Sequence, residues 1–448
     1  MLERLLPPNN LAFRRPSQDE DTTESVLVKY RAAPSKILIL QGPVGPFFSD
    51  LHKALLGNGI SVQRVLFNAG DSFFDRGNND SVRFTGSLLE WETWLRFELT
   101  QNTPDAIILF GSNRPAHEIA RRIAGYLAVN VVSLEEGYLR SGYITCEVGG
   151  NNQHSPMTKW QPGGIARMDA ALHATTHPIG GSSFKTMSFW GALYYFARDI
   201  FSKTSDEALF HRRRERLLPL VYSWAVHLTR RAAARAYEVP IRRVMRLDPG
   251  YILVPLQVST DSQLQTASRG WDTLKLVDAC LQAVRQSGSH ERVVFKLHPL
   301  ERGGPAIKRL IMMRARQLGL ASSCVKTICS GRLGDLAHNS SGMVVINSTS
   351  AFSALHHDVP VLVLGEAVYR HEGVVTVGNT LENVSDFFKL RHAKSHAVID
   401  AFLTDLKMQS LLPGDFYTAT GREVAVAGII HKLKQFKTVS LSQDVVNL

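Results

Sequence analysis

The amino-acid sequence predicts an α/β protein of two Rossmann-like halves that face each other across a crevice. Three observations carry this. From Lys36 onward short apolar runs alternate with amphipathic stretches, the order of a mostly parallel sheet with helices on both faces. The series begins a second time at Tyr251, after a basic helical interruption. Strands of both series end in glycine or polar residues, and the strand ends are where an open α/β sheet places its ligand. At 448 residues the chain is long enough for two domains.

In order, residues 1–34 are polar with an acidic cluster and read as a flexible tail. The first domain, 35–180, starts with a strand at Ile37–Leu40 and a helix from Phe48 to Leu56, ended by Gly57-Asn58-Gly59. Strands follow at Val62–Phe67, Ala106–Phe110 and Val129–Leu134, separated by helices at Ser87–Leu99 and Ala116–Leu127. Residues 145–180 are rich in Gly, Asn, Pro and His and read as a long loop or linker. A helical basic segment fills 181–248. The second domain, 249–380, has strands at Tyr251–Leu256, Arg292–Leu297, Gly342–Ile346 and Val359–Leu364, with helices near 269–286, 304–318 and 350–357. The rest, 381–448, reads as C-terminal helices near 381–408 and 420–436.

Composition excludes several classes. Hydrophobic content of 44% with 20% charged residues is that of a globular chain. No apolar run approaches the roughly 18–20 residues that span a bilayer. The N-terminus lacks the apolar region of a secretory signal, so the chain reads as cytosolic. Cys146, Cys280, Cys324 and Cys329 lack metal spacing and read as reduced thiols. The net charge of +11 is concentrated: ten arginines lie between His211 and Leu247, against Glu215 and Glu238. Before them, Phe189 to Ala197 carries large aromatics at helical spacing. Aromatics beside arginines suit the headgroup region of an anionic membrane face; the alternative is a core-facing helix followed by a solvated basic one. Nucleic acid is disfavoured, since no reading motif accompanies the arginines.

The chemistry-bearing residues sit at strand ends. Ile346-Asn347-Ser348-Thr349-Ser350-Ala351 runs from a buried strand into a helix, so hydroxyls and helix amides converge on a phosphate-sized anion site. About fifty residues earlier, Lys296 and His298 of Phe295-Lys296-Leu297-His298-Pro299 put a cation and an imidazole at another strand end. The alternative is that Ser348 only caps its helix and His298 is a satisfied core residue. In the first half, Gln41-Gly42-Pro43-Val44-Gly45, Asn68 to Asp71, Gly111 to Arg114 and Glu135 to Arg140 end successive strands. Gln41, Gly42, Asn68, Asp71, Arg114 and Arg140 are therefore candidates for binding substrate or acceptor, with Gly42 and Gly45 allowing close approach to a ligand. Glu135 and Glu136 suit sugar hydroxyls or general-base work, or else form an exposed charged turn. Gln257 to Gln263 leaves a strand as a polar run, with Asp261 as nucleophile or base, and Gln257 and Gln263 as candidate hydrogen-bonding partners, Gln257 toward substrate or acceptor.

Six of these stretches in one order, Gln41-Gly42-Pro43, Phe67 to Asp71, Glu135 to Arg140, Pro255 to Val258, Lys296 to Pro299 and Asn347 to Ser350, resemble the bacterial capsule polysaccharide biosynthesis family, of the KpsS/KpsC β-Kdo transferase type. The resemblance runs from about Lys36 to about Tyr369. It implies a GT-B-like, retaining glycosyltransferase that takes Kdo from CMP-Kdo and delivers it to a phosphatidylglycerol-type lipid or a Kdo-lipid. Within it, His298 and Ser348 to Ser350 match motifs that would hold the CMP phosphate, Glu135, Glu136 and Arg140 match the acidic motif, and Gln257 to Asp261 match the polar strand end. The implied partners are CMP-Kdo, an anionic lipid acceptor, the inner membrane surface, a second Kdo transferase and the capsule ABC transporter. A monophosphate leaving group carries less charge than a diphosphate, so amides, hydroxyls and an imidazole can stabilise it, and neither metal nor cofactor is expected. The rival reading is a non-catalytic export component that binds polysaccharide and the transporter.

Overall fold

The computed structural model describes residues 34–75, 80–139, 142–163, 183–210, 214, 217–258, 261–288 and 291–435. Its strands are β1 (Lys36–Ile39), β2 (Ser61–Leu66), β3 (Ser81–Arg83), β4 (Ala106–Phe110), β5 (Asn130–Glu136), β6 (Tyr143–Val148), β7 (Tyr251–Pro255), β8 (Val293–Lys296), β9 (Val325–Ile328), β10 (Ser340–Val345), β11 (Val361–Val363), β12 (Thr376–Val377) and β13 (Leu411–Pro413). The helices are α1 (Phe47–Gly57), α2 (Ala69–Phe73), α3 (Leu88–Gln101), α4 (Pro115–Tyr126), α5 (Phe184–Phe201), α6 (Leu217–Tyr237), α7 (Val239–Leu247), α8 (Ser262–Thr266), α9 (Thr273–Gln286), α10 (Gly304–Gln317), α11 (Leu333–His338), α12 (Ala351–Leu355), α13 (Leu381–Lys389), α14 (His396–Ser410) and α15 (Ala419–Lys434).

Two sheets result, one in each lobe. The first has the order β13-β6-β5-β4-β1-β2-β3 and the second β12-β11-β10-β7-β8-β9. The second is parallel throughout, and the first is parallel apart from β6, which runs antiparallel to β5 and β13. These are the two Rossmann-like lobes. The apolar runs exist because a parallel sheet is covered on both faces: Ile107, Ile108, Leu253 and Val254 are all fully buried. Helix ends follow local chemistry. Ser87 and Glu90 form a reciprocal capping box at the start of α3, and Pro115 opens α4 where its missing N–H is not needed.

Three expectations are corrected. The stretch taken as a loop or linker from 145 begins inside β6, whose register with β5 pairs Glu147 with Ser133. The C-terminal residues are more than helices: β13 pairs antiparallel with β6, and Arg422 of α15 holds Asp50 of α1 at 2.7 Å, so they complete the first lobe. The basic segment is not one inserted unit. Its α5 docks on the first lobe through Tyr194, whereas α6 and α7 lie on the second, where buried Glu238 accepts hydrogen bonds from the Cys329 and Ser330 amides and Met245 joins the core. One core cluster of the second lobe also takes in Tyr138, Met157 and Trp160 of the first, joining the lobes. Among the described residues no helix is long and apolar enough to cross a membrane.

Candidate functional site

The carboxyl ends of both sheets carry the polar residues singled out above. In the first lobe several of them bind one another. Asp71 accepts hydrogen bonds from the Tyr194 hydroxyl (2.8 Å), the Gln41 amide (3.1 Å) and the Phe67 N–H (2.9 Å). Asn68 donates to the Tyr194 hydroxyl at 2.9 Å and caps α2 by accepting from the Asp71 N–H. Gln41, Asn68, Asp71 and Tyr194 are all buried, so this set fastens α5 to the sheet. Gly42 serves packing as well: a Cβ there would lie 2.7 Å from the Phe48 ring. Arg114 is the half-exposed member, donating to the Gln41 side-chain oxygen (2.8 Å) and the Gly42 carbonyl (3.0 Å).

Next to Arg114, β5 delivers Glu135 and Glu136 into the gap between the lobes. Glu135 is pushed up to about 8, first by burial, then by the charges of Asp261, Glu136 and Glu147, with Arg114 opposing the rise. Asn152 donates to it at 3.0 Å from a loop held in the left-handed region at φ 54°. That loop hangs on buried Glu147, which accepts from Tyr138 (2.7 Å), Ser410 (2.6 Å), Asn151 (3.2 Å) and Ser155. Glu136 accepts from the Tyr417 hydroxyl. Neither Asn152 nor Glu147 was singled out in the sequence; the available signal was the alternation Ile144, Cys146, Val148 that marks a strand.

The second lobe supplies the facing groups. Asp261 caps α8, one carboxylate oxygen accepting from the Gln263 N–H (3.0 Å) and the other from Gln257 (3.2 Å). Gln257 also donates to Asn347 (2.9 Å), which donates to the Gln263 carbonyl (3.0 Å). A direct bond crosses the lobes beside this set, from the Asn113 amide to the Thr266 hydroxyl at 3.0 Å. Ser348, Thr349 and Ser350 are half-exposed at the end of β10, and Ser348 Oγ accepts from the Ser350 N–H (3.2 Å). Because α12 is five residues long, its dipole is small, and any anion site here rests on hydroxyls and loop amides rather than on the helix terminus. Half-buried His298 accepts from the Leu300 N–H at its Nδ1 (3.1 Å). Lys296 takes the other direction: with Val294 it points to the face under α6 and α7, and β7 separates its strand from that of Ser348. Arg140 lies outside the described residues. Among the described residues no group of three or more His, Cys, Asp or Glu could hold a metal ion.

The profile of the capsule polysaccharide biosynthesis protein family matches residues 105–417, most of the chain and all of the strand ends on the second lobe. The chain belongs to that family. Two curated relatives are similar over most of their length. The capsule polysaccharide export protein KpsS of Escherichia coli is 29% identical over 350 residues, covering 77% of this chain and 88% of KpsS. The capsule polysaccharide modification protein LipB of Neisseria meningitidis serogroup B is 30% identical over 357 residues, covering 77% of this chain and 83% of LipB. Among solved structures, the β-Kdo 2,7 transferase KpsC of Thermosulfurimonas dismutans is 14% identical with a TM-score of 0.38, covering 89% of this chain and 99% of KpsC.

Proposed function

We propose that this capsule family member is a retaining glycosyltransferase that moves Kdo from CMP-Kdo to an anionic lipid of the phosphatidylglycerol type, or to a Kdo-lipid. One feature supports it most: the Asp261 carboxylate of the second lobe acts across the gap on Glu135 of the first, whose carboxyl is pushed up to about 8 by burial and that charge. An acid/base and a nucleophile in one site is the arrangement that retention needs. An Asp261 oxygen forms a bond to the anomeric carbon as the bond to the CMP phosphate breaks. Glu135 gives its proton to the departing phosphate. Glu135, now a carboxylate, takes the proton from the acceptor hydroxyl, whose oxygen bonds the anomeric carbon as the Asp261 ester breaks. Two inversions leave the configuration unchanged.

Gln257 and the α8 amide hold Asp261 in place, while His298 and Ser348 to Ser350 hold the phosphate. Arg114 balances charge in the gap and suits the carboxylate of the sugar itself. The reaction runs at the inner face of the cytoplasmic membrane, with a second Kdo transferase and the capsule transporter as partners. Purified protein incubated with CMP-Kdo and a panel of lipids and Kdo-lipids, read by mass spectrometry, is expected to yield acceptor plus Kdo. No transfer and no CMP release with any acceptor favours instead a non-catalytic role in polysaccharide export, the role named for the Escherichia coli relative.

A further inference from the structure

Away from the carboxylate pair, α6 and α7 cover one face of the second sheet and leave a cavity of about 530 Å³ beneath them. Six cationic side chains line it: Arg231 and Arg235 from α6, Arg242 and Arg246 from α7, Lys296 at the end of β8, and Arg332 ahead of α11. Two have anionic partners. Arg242 lies 3.9 Å from Glu238 and Arg246 lies 3.3 Å from Asp335. The other four make no salt bridge with any described residue, although Lys296 is only 7% exposed and feels the Glu238 carboxylate only at longer range. Burial lowers the proton affinity of both Lys296 and Arg231, and Arg235 lowers that of Arg231 further. Unpaired cations gathered around one void repel each other and want a counter-anion.

The surroundings select the kind of anion. The helices that bring the arginines also expose Leu228, Tyr237 and Val239 to solvent, and the Arg231 guanidinium lies 5.9 Å from the ring of Phe184 at the start of α5. Apolar and aromatic side chains around a cationic pocket suit a phosphate ester that carries hydrocarbon. The volume lies within the range of small-ligand sites. We propose that this cavity binds the phosphate ester of an anionic lipid headgroup, so that the membrane is held by a built pocket and not only by diffuse charge. The inference rests on the lipid acceptor in the proposed function and is independent of the transfer chemistry.

The test uses the full chain and sedimentation with phosphatidylcholine vesicles, plain or doped with phosphatidylglycerol. Arg231→Gln with Arg235→Gln removes two cavity cations. Arg230→Gln with Arg243→Gln removes the same charge from exposed positions of the same helices outside the cavity. At about 1 kcal/mol per cation at an anionic surface, the first pair is expected to lower partition onto the doped vesicles about thirtyfold or more, and the second by a factor at least about tenfold smaller. Arg235→Gln alone, at an exposed position, repeats the measurement should the first pair fold poorly. Glycerol phosphate is expected to compete weakly and CMP not at all. Equal losses for both pairs overturn the pocket in favour of diffuse charge. Displacement of vesicles by CMP assigns the cavity to the nucleotide, and glycerol phosphate binding without vesicle binding assigns it to a soluble ester; either overturns the proposal. Wild-type protein that binds doped vesicles but never turns over CMP-Kdo sinks the transfer chemistry and leaves the cavity standing.

Discussion

Replacing Glu135 by Gln keeps the size of the side chain and an oxygen for Asn152, and it imitates the protonated acid. The folded protein raises this carboxyl from an ordinary 4.5 to about 8, so between those values the native state binds a proton that the unfolded chain has lost. Native stability therefore falls as pH rises through that window and levels off above it. At about 1.36 kcal/mol per pH unit, the wild type carries a penalty of roughly 1 kcal/mol at pH 5, about 3 at pH 7 and nearly 5 at pH 9. These are upper values, since water entering the gap relieves the buried charge. Gln carries no such penalty. Urea unfolding of the two proteins at pH 5, 7 and 9 is expected to show the variant gaining stability over wild type as pH rises, by up to about 4 kcal/mol across the range, while transfer from CMP-Kdo is lost. A difference in stability that stays flat with pH refutes the buried acid, whatever happens to activity.

Asp261→Asn retains a good helix cap for the Gln263 N–H, so the protein is expected to fold while turnover of CMP-Kdo falls at least about a thousandfold; turnover near wild type removes Asp261 from the role of nucleophile. His298→Ala is expected to lower transfer from CMP-Kdo by about a hundredfold or more with an unchanged unfolding midpoint, and unchanged turnover removes the imidazole from the phosphate site. Tyr194→Phe takes away the hydroxyl shared by Gln41, Asn68 and Asp71, and is expected to lower stability by about 1–3 kcal/mol in thermal unfolding; no loss means that this hydroxyl does not hold α5 in place.

The elements legible in the sequence are those in which one physical rule dominates. β4 and β7, and the C-terminal parts of β1 and β10, are continuous apolar runs because both faces of their sheets are covered, and a two-fold alternation was not needed to find them. β6 escaped notice because its inward positions include Glu147, a buried carboxylate satisfied by four side-chain donors that no local pattern reveals. β13 is three residues long, and its partner strand lies far away in the sequence. The rule that ligands gather at strand ends singled out Glu135, Asp261 and Gln257, the groups proposed for the chemistry, but it did not say which polar ends are used up internally. Asp71 and Asn68 look like binding residues until α5 returns with Tyr194 to occupy them. The rule was also blind to direction. Alternation along β8 sends Lys296 to the face beneath α6 and α7 and its neighbours Phe295 and Leu297 to the other.

The placement of the two carboxyls on separate lobes has a consequence for when the chemistry is possible. The largest cause of the raised proton affinity of Glu135 is burial, and the next is the charge of Asp261 across the gap. The second depends on the lobes standing together. Parting them would remove the opposing Asp261 charge and shift Glu135 toward the ionised form. Arg114, held by Gln41 and Gly42 on the first lobe, stays beside it and favours the same ionised form. On the proposed roles, parted lobes hold less firmly the proton that a departing phosphate would take. The proposed chemistry is therefore favoured with the lobes together, Asn113 bonded to Thr266, the arrangement that also limits access of bulk water.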